Sequence, residues 1–343
     1  MICHSPAPAR AVPADGRSAM KAVAYSHYGA PDVLQLEEVP TPVPADDEVR
    51  IRVRAAEATK SDCEMRSFRY AVKWFWVPMR IALGITRPKR RVLGSYFAGE
   101  VESVGAAVTR LSVGDQVFGT SRLRLGAYGE YLVLPASYTI VSKPTNMGFT
   151  DAAAVPLGGL NALHFMRLAN IRPGEVVLIN GAGGSIGAYG VQIAKSMGAE
   201  VTAVDRASKE EGLRRLGADR FLDYTRKDFT ADHARYDVIF DMVPGSSYGA
   251  CLKALKSNGR YLVGNPRFAV LLRSELTTRF TQRTVRVAFA QETRDELRAL
   301  KDMIEAGRIG SIVDRAYPMA QAAEAHRKVE AEDRVGAVVI DMC

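Results

Sequence analysis

The amino-acid sequence predicts an α/β protein in which a strand-rich first part precedes a doubly wound parallel sheet. Between about residues 21 and 141, short runs alternate apolar and polar residues and are separated by Gly, Pro or Asp. From about residue 146, strand-like and helix-like segments alternate, as in parallel sheets covered by helices on both faces. A glycine-rich turn joins the first strand of this second part to its first helix.

Five segments of the first part have the pattern of strands. The segment EVRIRVR, at residues 48–54, alternates polar and apolar side chains, which is typical of a strand with one buried face. The others are KAVAY, GEVESVG, VGDQVFG and GEYLVLP. Several short strands with turn residues between them indicate a small barrel or sandwich.

Residues 70–91 interrupt this pattern. They hold both tryptophans of the chain and six basic residues but no acidic one. Pro78 and Gly84 break any long helix, so we expect one or two short helices. Three interpretations stay open: a helix packed on the barrel, a flap over an apolar substrate lined by Trp74, Phe75 and Trp76, or a segment resting on a membrane surface.

The second part begins with a buried strand, EVVLIN, at residues 175–180, and a helix from about Gly184 to Met197. A second strand, EVTAVD, covers residues 200–205. The segments that follow are a helix (KEEGLRRLG), two strands (RFLDY and YDVIFDM), a helix (GACLKALKS), a strand (GRYLVG), a strand in residues 284–290 and a helix (DELRALKDMIEAG). This order predicts a doubly wound parallel sheet.

The turn after the first of these strands reads NGAGGSIG, at residues 180–187. In such a turn the first glycine allows the tight bend, the middle one lets a pyrophosphate approach the backbone, and the last allows close packing of helix on strand. Phosphate then sits at the helix N-terminus, where free N–H groups point outward. The sequence therefore predicts a dinucleotide-binding turn formed by Gly181, Gly184, Ser185, Ile186 and Gly187.

Asp205 ends the second strand, eighteen residues after Gly187. An aspartate here can accept hydrogen bonds from the adenosine ribose and repels a 2′-phosphate, which favours NAD. Arg206 and Lys209 follow it, and Tyr224 ends the next strand; cations here suit a 2′-phosphate and favour NADP. The choice between NADH and NADPH stays open, and Arg206 and Lys209 are alternatively only a solvated helix start.

Composition excludes several classes of function. The chain has 343 residues, enough for two domains, with 47% apolar and 24% charged residues, as in soluble globular proteins. No apolar run reaches the length of a membrane-spanning helix, so we expect none. The net charge of +8 is dispersed, which favours an anionic cofactor over nucleic acid as the partner.

The four cysteines are far apart and form no CxxC motif. They predict neither a disulfide framework nor a cysteine-rich zinc site, and they indicate a reducing, cytoplasmic location. Residues 1–19 lack the apolar core of a signal peptide, and we expect them to form a flexible extension.

Seven motifs distributed along the chain identify a family. They are MKAVAY, LGSYFAGEVESVG, LSVGDQVFG, GAYGEYLVLP, DAAAVPLGGLNALHFM, INGAGGSIG and LGADRFLDY. Together they resemble the medium-chain dehydrogenase/reductase superfamily from Met20 to Met342, and within it the zinc-free quinone oxidoreductase and enone reductase branch. The resemblance implies a GroES-like catalytic domain at residues 20–145 and 292–343, and a Rossmann domain at residues 146–291.

The resemblance also locates the positions of a catalytic zinc site. In zinc alcohol dehydrogenases the ligands fall near Thr59, on Ser95 and Tyr96, and near Ala154 of this chain. Zinc prefers thiolate, imidazole and carboxylate ligands, and this set supplies none of them. We therefore expect no zinc.

Without a metal, the reaction expected from the resemblance is hydride transfer from NADH or NADPH to an activated C=C bond or a quinone. Negative charge then develops on a carbonyl oxygen, which needs a hydrogen-bond donor. Tyr96 is the first candidate, with rim packing as its alternative. Lys60 and Asp62 are expected to flank the same pocket; Lys60 is alternatively an ordinary exposed lysine, and Asp62 alternatively anchors a turn.

The resemblance further implies that Asn161 and Asn265 border the nicotinamide. It also implies a homodimer formed by pairing of sheet edges, with residues 283–290 as the expected edge. The expected substrate is a small hydrophobic carbonyl compound or quinone. Two alternatives stay open: a zinc-free alcohol dehydrogenase or carbonyl reductase, and a regulatory protein that binds NADPH without turnover.

Overall fold

In the part of the chain that the structure describes, the strands form two large sheets and a two-stranded ribbon. The structure, a computed structural model, describes residues 18–70, 76–288 and 290–342. The prediction for residues 1–19 lies almost wholly outside these ranges, and so do those for Trp74 and Phe75.

The elements are numbered in chain order. The first part contains β1 (Ala19–Ala24), β2 (Gln35–Pro40), β3 (Glu48–Ala58), α1 (Lys60–Ser67), α2 (Trp76–Leu83), β4 (Tyr96–Val104), β5 (Gln116–Thr120), β6 (Tyr131–Pro135) and β7 (Ile140–Ser142). The second part contains α3 (Phe149–Ala153), α4 (Val155–Ala169), β8 (Val176–Asn180), α5 (Ser185–Ser196), β9 (Glu200–Asp205), α6 (Glu210–Arg215), β10 (Arg220–Asp223), β11 (Tyr236–Asp241), α7 (Tyr248–Ala254), β12 (Leu255–Val263), α8 (Phe268–Phe280) and β13 (Thr284–Val287). The last elements are α9 (Arg294–Glu305), β14 (Val313–Pro318), α10 (Ala322–Glu330) and β15 (Ala337–Asp341).

The first sheet has seven strands in the order β14-β15-β3-β4-β5-β7, and β6 also pairs with β3. Val49, Ile51 and Val53 of β3 are buried while Arg52 is exposed, so the alternation predicted for residues 48–54 is confirmed. Because β15 pairs antiparallel with β3, the last strand returns to the sheet that holds β3 to β7.

The second sheet has six strands in the order β10-β9-β8-β11-β12-β13, and its neighbouring strands run parallel. The predicted doubly wound sheet is therefore confirmed. The strand order reverses between β8 and β11, and ligands of such sheets bind in the crevice at this point, beyond the carboxyl ends of the strands.

One apolar core continues from the second sheet to the first. Leu163 and Phe165 of α4, Val191 of α5 and Phe118 of β5 belong to the same buried cluster. The helix α9 packs Leu300 into this cluster, and it begins with a capping box. The domain limits predicted at residues 145 and 292 stay predictions.

Two predicted elements end earlier than expected. The helix GACLKALKS ends at Ala254, and the next residues begin β12, where Leu255 is buried and pairs with Tyr236. A short apolar run fits either structure, and pairing with β11 decides it. The strand predicted at residues 284–290 ends at Val287.

The helix α8 was not predicted. It carries Phe268, Leu272, Leu276 and Phe280 at intervals of four residues, each between 59% and 74% exposed. These four residues face away from the core, and among the described residues of α8 only Val270 packs on a buried apolar cluster, so the inward-facing periodicity that identifies a surface helix is weak.

In the segment at residues 70–91, α2 packs on the first sheet through Leu83 and Arg80. The Arg80 guanidinium lies 4.0 Å from the Phe68 ring centre and 4.8 Å from that of Tyr28. The opposite face leaves Val77 exposed. In the described ranges, no helix combines the length and the hydrophobicity needed to cross a bilayer.

Candidate active site

The glycine turn has the geometry that a bound pyrophosphate requires. Gly181 has a φ of +80°, in the left-handed region that favours glycine. A Cβ on Gly187 would lie 2.2 Å from the Gly181 carbonyl oxygen, so the first turn of α5 lies directly on the bend. A Cβ on Gly184 would meet nothing closer than 3.7 Å. Gly184 is the N-cap of α5, and the Ala188 amide donates the first hydrogen bond of the helix. The backbone amides of residues 185–187 therefore lie at the turn without a partner inside the helix.

Asp205 binds the glycine turn itself. Its Oδ2 accepts a 2.7 Å hydrogen bond from the Gly183 amide, and its Oδ1 lies 2.8 Å from Lys209 Nζ. Both side chains are buried. A Cβ on Gly183 would lie 2.5 Å from Lys209 Cδ and 2.8 Å from Asp205 Oδ2, so a larger residue would displace these two side chains; the sequence analysis passed over this position. The Asp205 charge is therefore paired inside the protein, whereas the sequence analysis considered it as an acceptor for a ribose and left the choice of cofactor open.

Arg206 and Tyr224 lie at the rim beyond Asp205. Arg206 Nε donates a 2.8 Å hydrogen bond to the Tyr224 hydroxyl, and both side chains are exposed. The two residues come from the ends of neighbouring parallel strands, β9 and β10. The structure thus brings together the Arg206 guanidinium and the Tyr224 hydroxyl, which are 18 residues apart in the sequence.

The start of α5 is tied to the first sheet by Ser185, which the sequence predicted for the turn, and by Glu57 and Arg334, which the sequence analysis missed. Ser185 Oγ donates a 2.6 Å hydrogen bond to Glu57 Oε1, and Arg334 Nη1 donates to the Gly336 carbonyl oxygen. Gly336 N donates to the Gly183 carbonyl oxygen. Burial raises the pKa of Glu57 to about 8, although Ser185 and Arg334 oppose the shift. The sequence signal was an acidic residue in the buried end of a strand.

A cavity of about 260 Å³ opens beside the start of α5. Its lining residues come from β4, α4, α5 and the segments that follow β11, β12 and β13: Tyr96, Leu157, Asn161, Phe165, Ile186, Met242, Gly264, Asn265, Ala288, Ala290 and Glu292. Four residues that the sequence singled out, Tyr96, Asn161, Ile186 and Asn265, therefore meet in one cavity.

The two asparagines are fixed through their amide nitrogens. Asn161 Nδ2 donates to the Leu157 carbonyl oxygen at 2.9 Å, and Asn265 Nδ2 donates to that of Met242 at 2.8 Å. Their carbonyl oxygens have no hydrogen bond from another described residue. Such oxygens can accept hydrogen bonds from a carboxamide N–H₂ group.

Tyr96 is paired with a residue that sequence reasoning missed. Its hydroxyl donates a 2.6 Å hydrogen bond to Glu292 Oε1, and Thr120 Oγ1 donates to Glu292 Oε2 at 3.2 Å. Burial raises the pKa of both Tyr96 and Glu292. Tyr96 and Glu292 are 196 residues apart, so no local pattern identifies the pair.

Neither Lys60 nor Asp62 lines the cavity that holds Tyr96, contrary to the expectation that they flank it. Asp62 is fully buried: its Oδ2 accepts from the Thr59 hydroxyl at 2.6 Å, and its Oδ1 accepts from the Gly94 amide at 3.1 Å. It caps α1 and holds the turn before β4, which is the anchoring role given as its alternative. Lys60 forms an ion pair with Glu332 in a separate cleft.

The positions compared with a catalytic zinc site do not fit the metal. Thr59 Oγ1 is hydrogen-bonded to Asp62, and Ala154 is buried and has no ligand atom in its side chain. In residues 18–70, 76–288 and 290–342, no three His, Cys, Asp or Glu side chains form a group that could hold a metal ion. Hydroxyl and methyl groups are not a zinc ligand set.

Comparison with known proteins identifies the family. Residues 45–145 match the family described as "Alcohol dehydrogenase GroES-like domain", and residues 216–340 match "Zinc-binding dehydrogenase". The chain is 30% identical over 339 residues to a quinone oxidoreductase of Pseudomonas aeruginosa, covering 93% of this chain and 99% of that one.

Two further relatives extend this likeness. The chain is 29% identical to the chloroplastic NADPH-dependent alkenal/one oxidoreductase of Arabidopsis thaliana, covering 94% of this chain and 79% of that one. The solved quinone oxidoreductase of Coxiella burnetii superposes with a TM-score of 0.84 at 26% identity, covering 95% of this chain and 100% of that one. The GroES-like and Rossmann folds are thereby confirmed. The chain is an oxidoreductase that belongs to the medium-chain dehydrogenase/reductase superfamily and is similar to its quinone oxidoreductases.

Proposed function

We propose that the protein uses NADPH or NADH to reduce an activated C=C bond of an enone or enal, or a quinone, without zinc. One observation carries the proposal: a single cavity at the start of α5 holds a tyrosine hydroxyl and two asparagine amides. The relatives named quinone oxidoreductase and alkenal/one oxidoreductase support the same class of acceptor.

The residues present fit a nicotinamide dinucleotide. The glycine turn and the N-terminus of α5 would hold its pyrophosphate, and Gly184 leaves space for it. Asn161 and Asn265 would accept hydrogen bonds from the nicotinamide carboxamide, and Ile186 would pack beside the ring. When bound, the reduced cofactor supplies the hydride.

We further propose that NADPH is preferred to NADH. Lys209 neutralises Asp205, which lowers the repulsion of a 2′-phosphate. The Asp205 carboxylate is also buried and accepts the Gly183 and Arg206 amides, so in this arrangement it faces the turn. Arg206 and Tyr224 offer an exposed guanidinium and hydroxyl beside it.

The chain's own contribution to the chemistry is orientation and a hydrogen-bond donor. Leu157, Phe165 and Met242 give the cavity apolar walls, which suit a hydrophobic substrate. As the substrate takes up hydride, negative charge grows on its carbonyl oxygen. Tyr96 would donate a hydrogen bond to that oxygen, and such a donor stabilises the charge that develops during the reaction.

Product analysis separates this proposal from its alternatives. The protein would be incubated with NADPH and an aliphatic enone, and the products would be resolved by chromatography. A saturated ketone supports the proposal. An allylic alcohol would instead indicate a carbonyl reductase, and tight NADPH binding without any product from enone, quinone or aldehyde would indicate a regulatory protein.

We also propose that the protein acts in the cytoplasm as a homodimer. β13 is the last strand in the order of the parallel sheet, and α8 packs beside it: Val285 N donates to Thr278 Oγ1 at 3.0 Å. The apolar stripe of α8, formed by Phe268, Leu272, Leu276 and Phe280, thus continues the surface of a strand edge. A second copy of the chain would cover both.

A further inference from the structure

Glu292 reaches the Tyr96 hydroxyl from the segment that returns from the parallel sheet to the first sheet. Each of its carboxyl oxygens meets one hydroxyl: Oε1 lies 2.6 Å from Tyr96 OH, and Oε2 lies 3.2 Å from Thr120 Oγ1. Tyr96 and Glu292 both line the cavity that we assign to the nicotinamide and the substrate. A carboxyl group is therefore in direct contact with the proposed donor.

The backbone at Glu292 is held in an unusual conformation. Its φ is +51°, a left-handed value that residues other than glycine and asparagine rarely adopt. Thr139 Oγ1 donates a 2.5 Å hydrogen bond to its carbonyl oxygen, which fixes this conformation. Strained residues of this kind persist where the surrounding structure over-determines them, and they cluster at active sites.

The groups around Glu292 favour its neutral form. Burial raises its pKa, and the negative charge of Glu296, which lies 3.4 Å from His164, adds to the shift. The hydroxyls of Tyr96 and Thr120 and the positive charge of Arg122 oppose it. Around Tyr96 itself, burial and the carboxyl groups of Glu292, Glu57 and Asp62 all disfavour the phenolate.

The protonation state of Glu292 decides what Tyr96 offers the substrate, because a phenol has only one hydrogen. When Glu292 is ionised, that hydrogen points to the carboxylate, and only lone pairs face the cavity. When Glu292 is a carboxylic acid, its own hydrogen can be donated to the phenol oxygen. The phenol hydrogen is then free to bind the carbonyl oxygen of the substrate.

We propose that Glu292 is a positioning residue that, as a carboxylic acid, turns the Tyr96 hydroxyl toward the substrate and replaces the proton that the hydroxyl gives up. This inference rests on the proposed reduction of enones or quinones. It goes beyond that proposal because it gives the reaction its proton source.

An enone receives one hydride and one proton in this reaction. A C–H bond forms at the β-carbon with the hydride from the reduced nicotinamide, and the electron pair of the C=C bond moves through the conjugated system to the carbonyl oxygen. The Tyr96 proton forms an O–H bond with that oxygen, and the Glu292 proton restores the phenol. The enol product then tautomerises to the ketone, and water reprotonates the Glu292 carboxylate. The substrate gains two electrons and the nicotinamide loses two.

The test compares Glu292→Gln, Tyr96→Phe and the double variant with the wild type. The matched control is Glu296→Gln, which removes a neighbouring charge but keeps the side chain able to cap α9. For each, kcat and KM would be measured from about pH 6 to about pH 9 at saturating NADPH, so that any effect of Glu57 ionisation on cofactor affinity does not contribute. Dissociation constants for NADPH would show that the cofactor site is intact.

We expect wild-type kcat to fall as pH rises and Glu292 ionises. Glu292→Gln should lower kcat by about 10- to 100-fold at the acidic end, without a change in NADPH affinity, and remove the pH dependence. The double variant should be no slower than Tyr96→Phe, because the two residues act in series. Glu296→Gln should keep a pH dependence of kcat, with its midpoint moved to lower pH because a negative charge near Glu292 is removed. Wild-type kcat and pH dependence in Glu292→Gln, or multiplicative losses in the double variant, would overturn the proposal.

A second readout keeps this inference separate from the proposed function. If the wild type reduces none of the acceptors, the proposed function fails, but infrared spectroscopy still reports the carboxyl group. Near neutral pH, the spectrum of the wild type minus that of Glu292→Gln should contain a carbonyl-stretch band of a protonated carboxylic acid. A difference spectrum with only carboxylate bands would show that Glu292 is ionised and would contradict the inference.

Discussion

The Ser185 hydroxyl donates a 2.6 Å hydrogen bond to the buried carboxyl group of Glu57. Ser185 is the first residue of α5, and Glu57 lies near the end of β3. This bond joins the helix that we assign to the pyrophosphate to the sheet that carries Tyr96. The protonation state of Glu57 therefore affects both stability and cofactor binding.

Glu57→Gln should reduce the dependence of stability on pH. In the folded protein burial raises the pKa of Glu57 to about 8 from an ordinary value of 4.5. Between these values the folded state holds more protons than the unfolded state, so the free energy of unfolding falls as pH rises. We expect this group to contribute a loss of about 2–4 kcal/mol from pH 5 to pH 9, measured by urea denaturation.

The control for this prediction is Glu211→Gln, which removes an exposed carboxylate from α6. It should unfold with the same pH dependence as the wild type. If the free energy of unfolding depended on pH equally in Glu57→Gln and the wild type, the raised pKa of Glu57 would be contradicted.

Substitution of two glycines by alanine should separate folding from cofactor binding. Gly187→Ala places a Cβ 2.2 Å from a backbone oxygen, and we expect it to destabilise the protein by about 3 kcal/mol or more. Gly184→Ala meets no protein atom closer than 3.7 Å, so it should fold normally and bind NADPH at least about tenfold more weakly. Thermal unfolding and fluorescence titration give the two quantities. If Gly184→Ala bound NADPH as tightly as the wild type, binding of the pyrophosphate at the glycine turn would be contradicted.

Arg206→Ala should weaken NADPH binding and leave NADH binding nearly unchanged. The guanidinium is exposed beside Tyr224, and a charge-assisted hydrogen bond to a phosphate contributes about 1.5–3 kcal/mol. We expect KM for NADPH to rise by about tenfold or more. Arg214→Ala, on α6, is the control and should bind both cofactors like the wild type. Similar losses for NADPH and NADH would show that Arg206 does not discriminate between them.

Charge on the α8 stripe should separate the proposed dimer. Leu272→Lys and Leu276→Lys place ammonium groups on a surface that dimerisation would bury, at sites where each leucine is about 60% exposed. Sedimentation velocity should show a dimer for the wild type and a monomer for the double variant. Ile81→Lys, on the exposed face of α2, should remain dimeric. A monomeric wild type would refute the proposal.

The sequence predicted the parts of the site that local patterns encode. The glycine turn was recognisable because Gly181 and Gly187 must accept conformations and contacts that other residues do not tolerate. The role of Asp205 could not be predicted in the same way. Asp205 accepts the Gly183 amide and forms an ion pair with Lys209. The sequence does not show whether the carboxylate points to these two groups or to a ribose.

The residues that the sequence missed act across long distances in the chain. Glu292 contacts Tyr96 because it lies just before α9, in the segment by which the chain returns to the first sheet. Glu57 contacts Ser185 because β3 ends beside α5. Neither acid has a distinctive spacing. The helix α8 was not predicted for a different reason, since four of its large apolar residues face outward and its sequence lacks a strong inward-facing pattern.

The central claim is reduction of an activated acceptor without a metal. It is tested most directly by the loss of nicotinamide absorbance at pH 7 with NADPH and NADH in parallel, in the presence of a chelator. The acceptors would be a long-chain enone, an enal, a naphthoquinone and a simple aldehyde. We predict chelator-resistant oxidation of NADPH with the enone or the quinone, and slower oxidation of NADH. Activity that the chelator abolishes and zinc restores, or turnover of the aldehyde alone, would contradict the account.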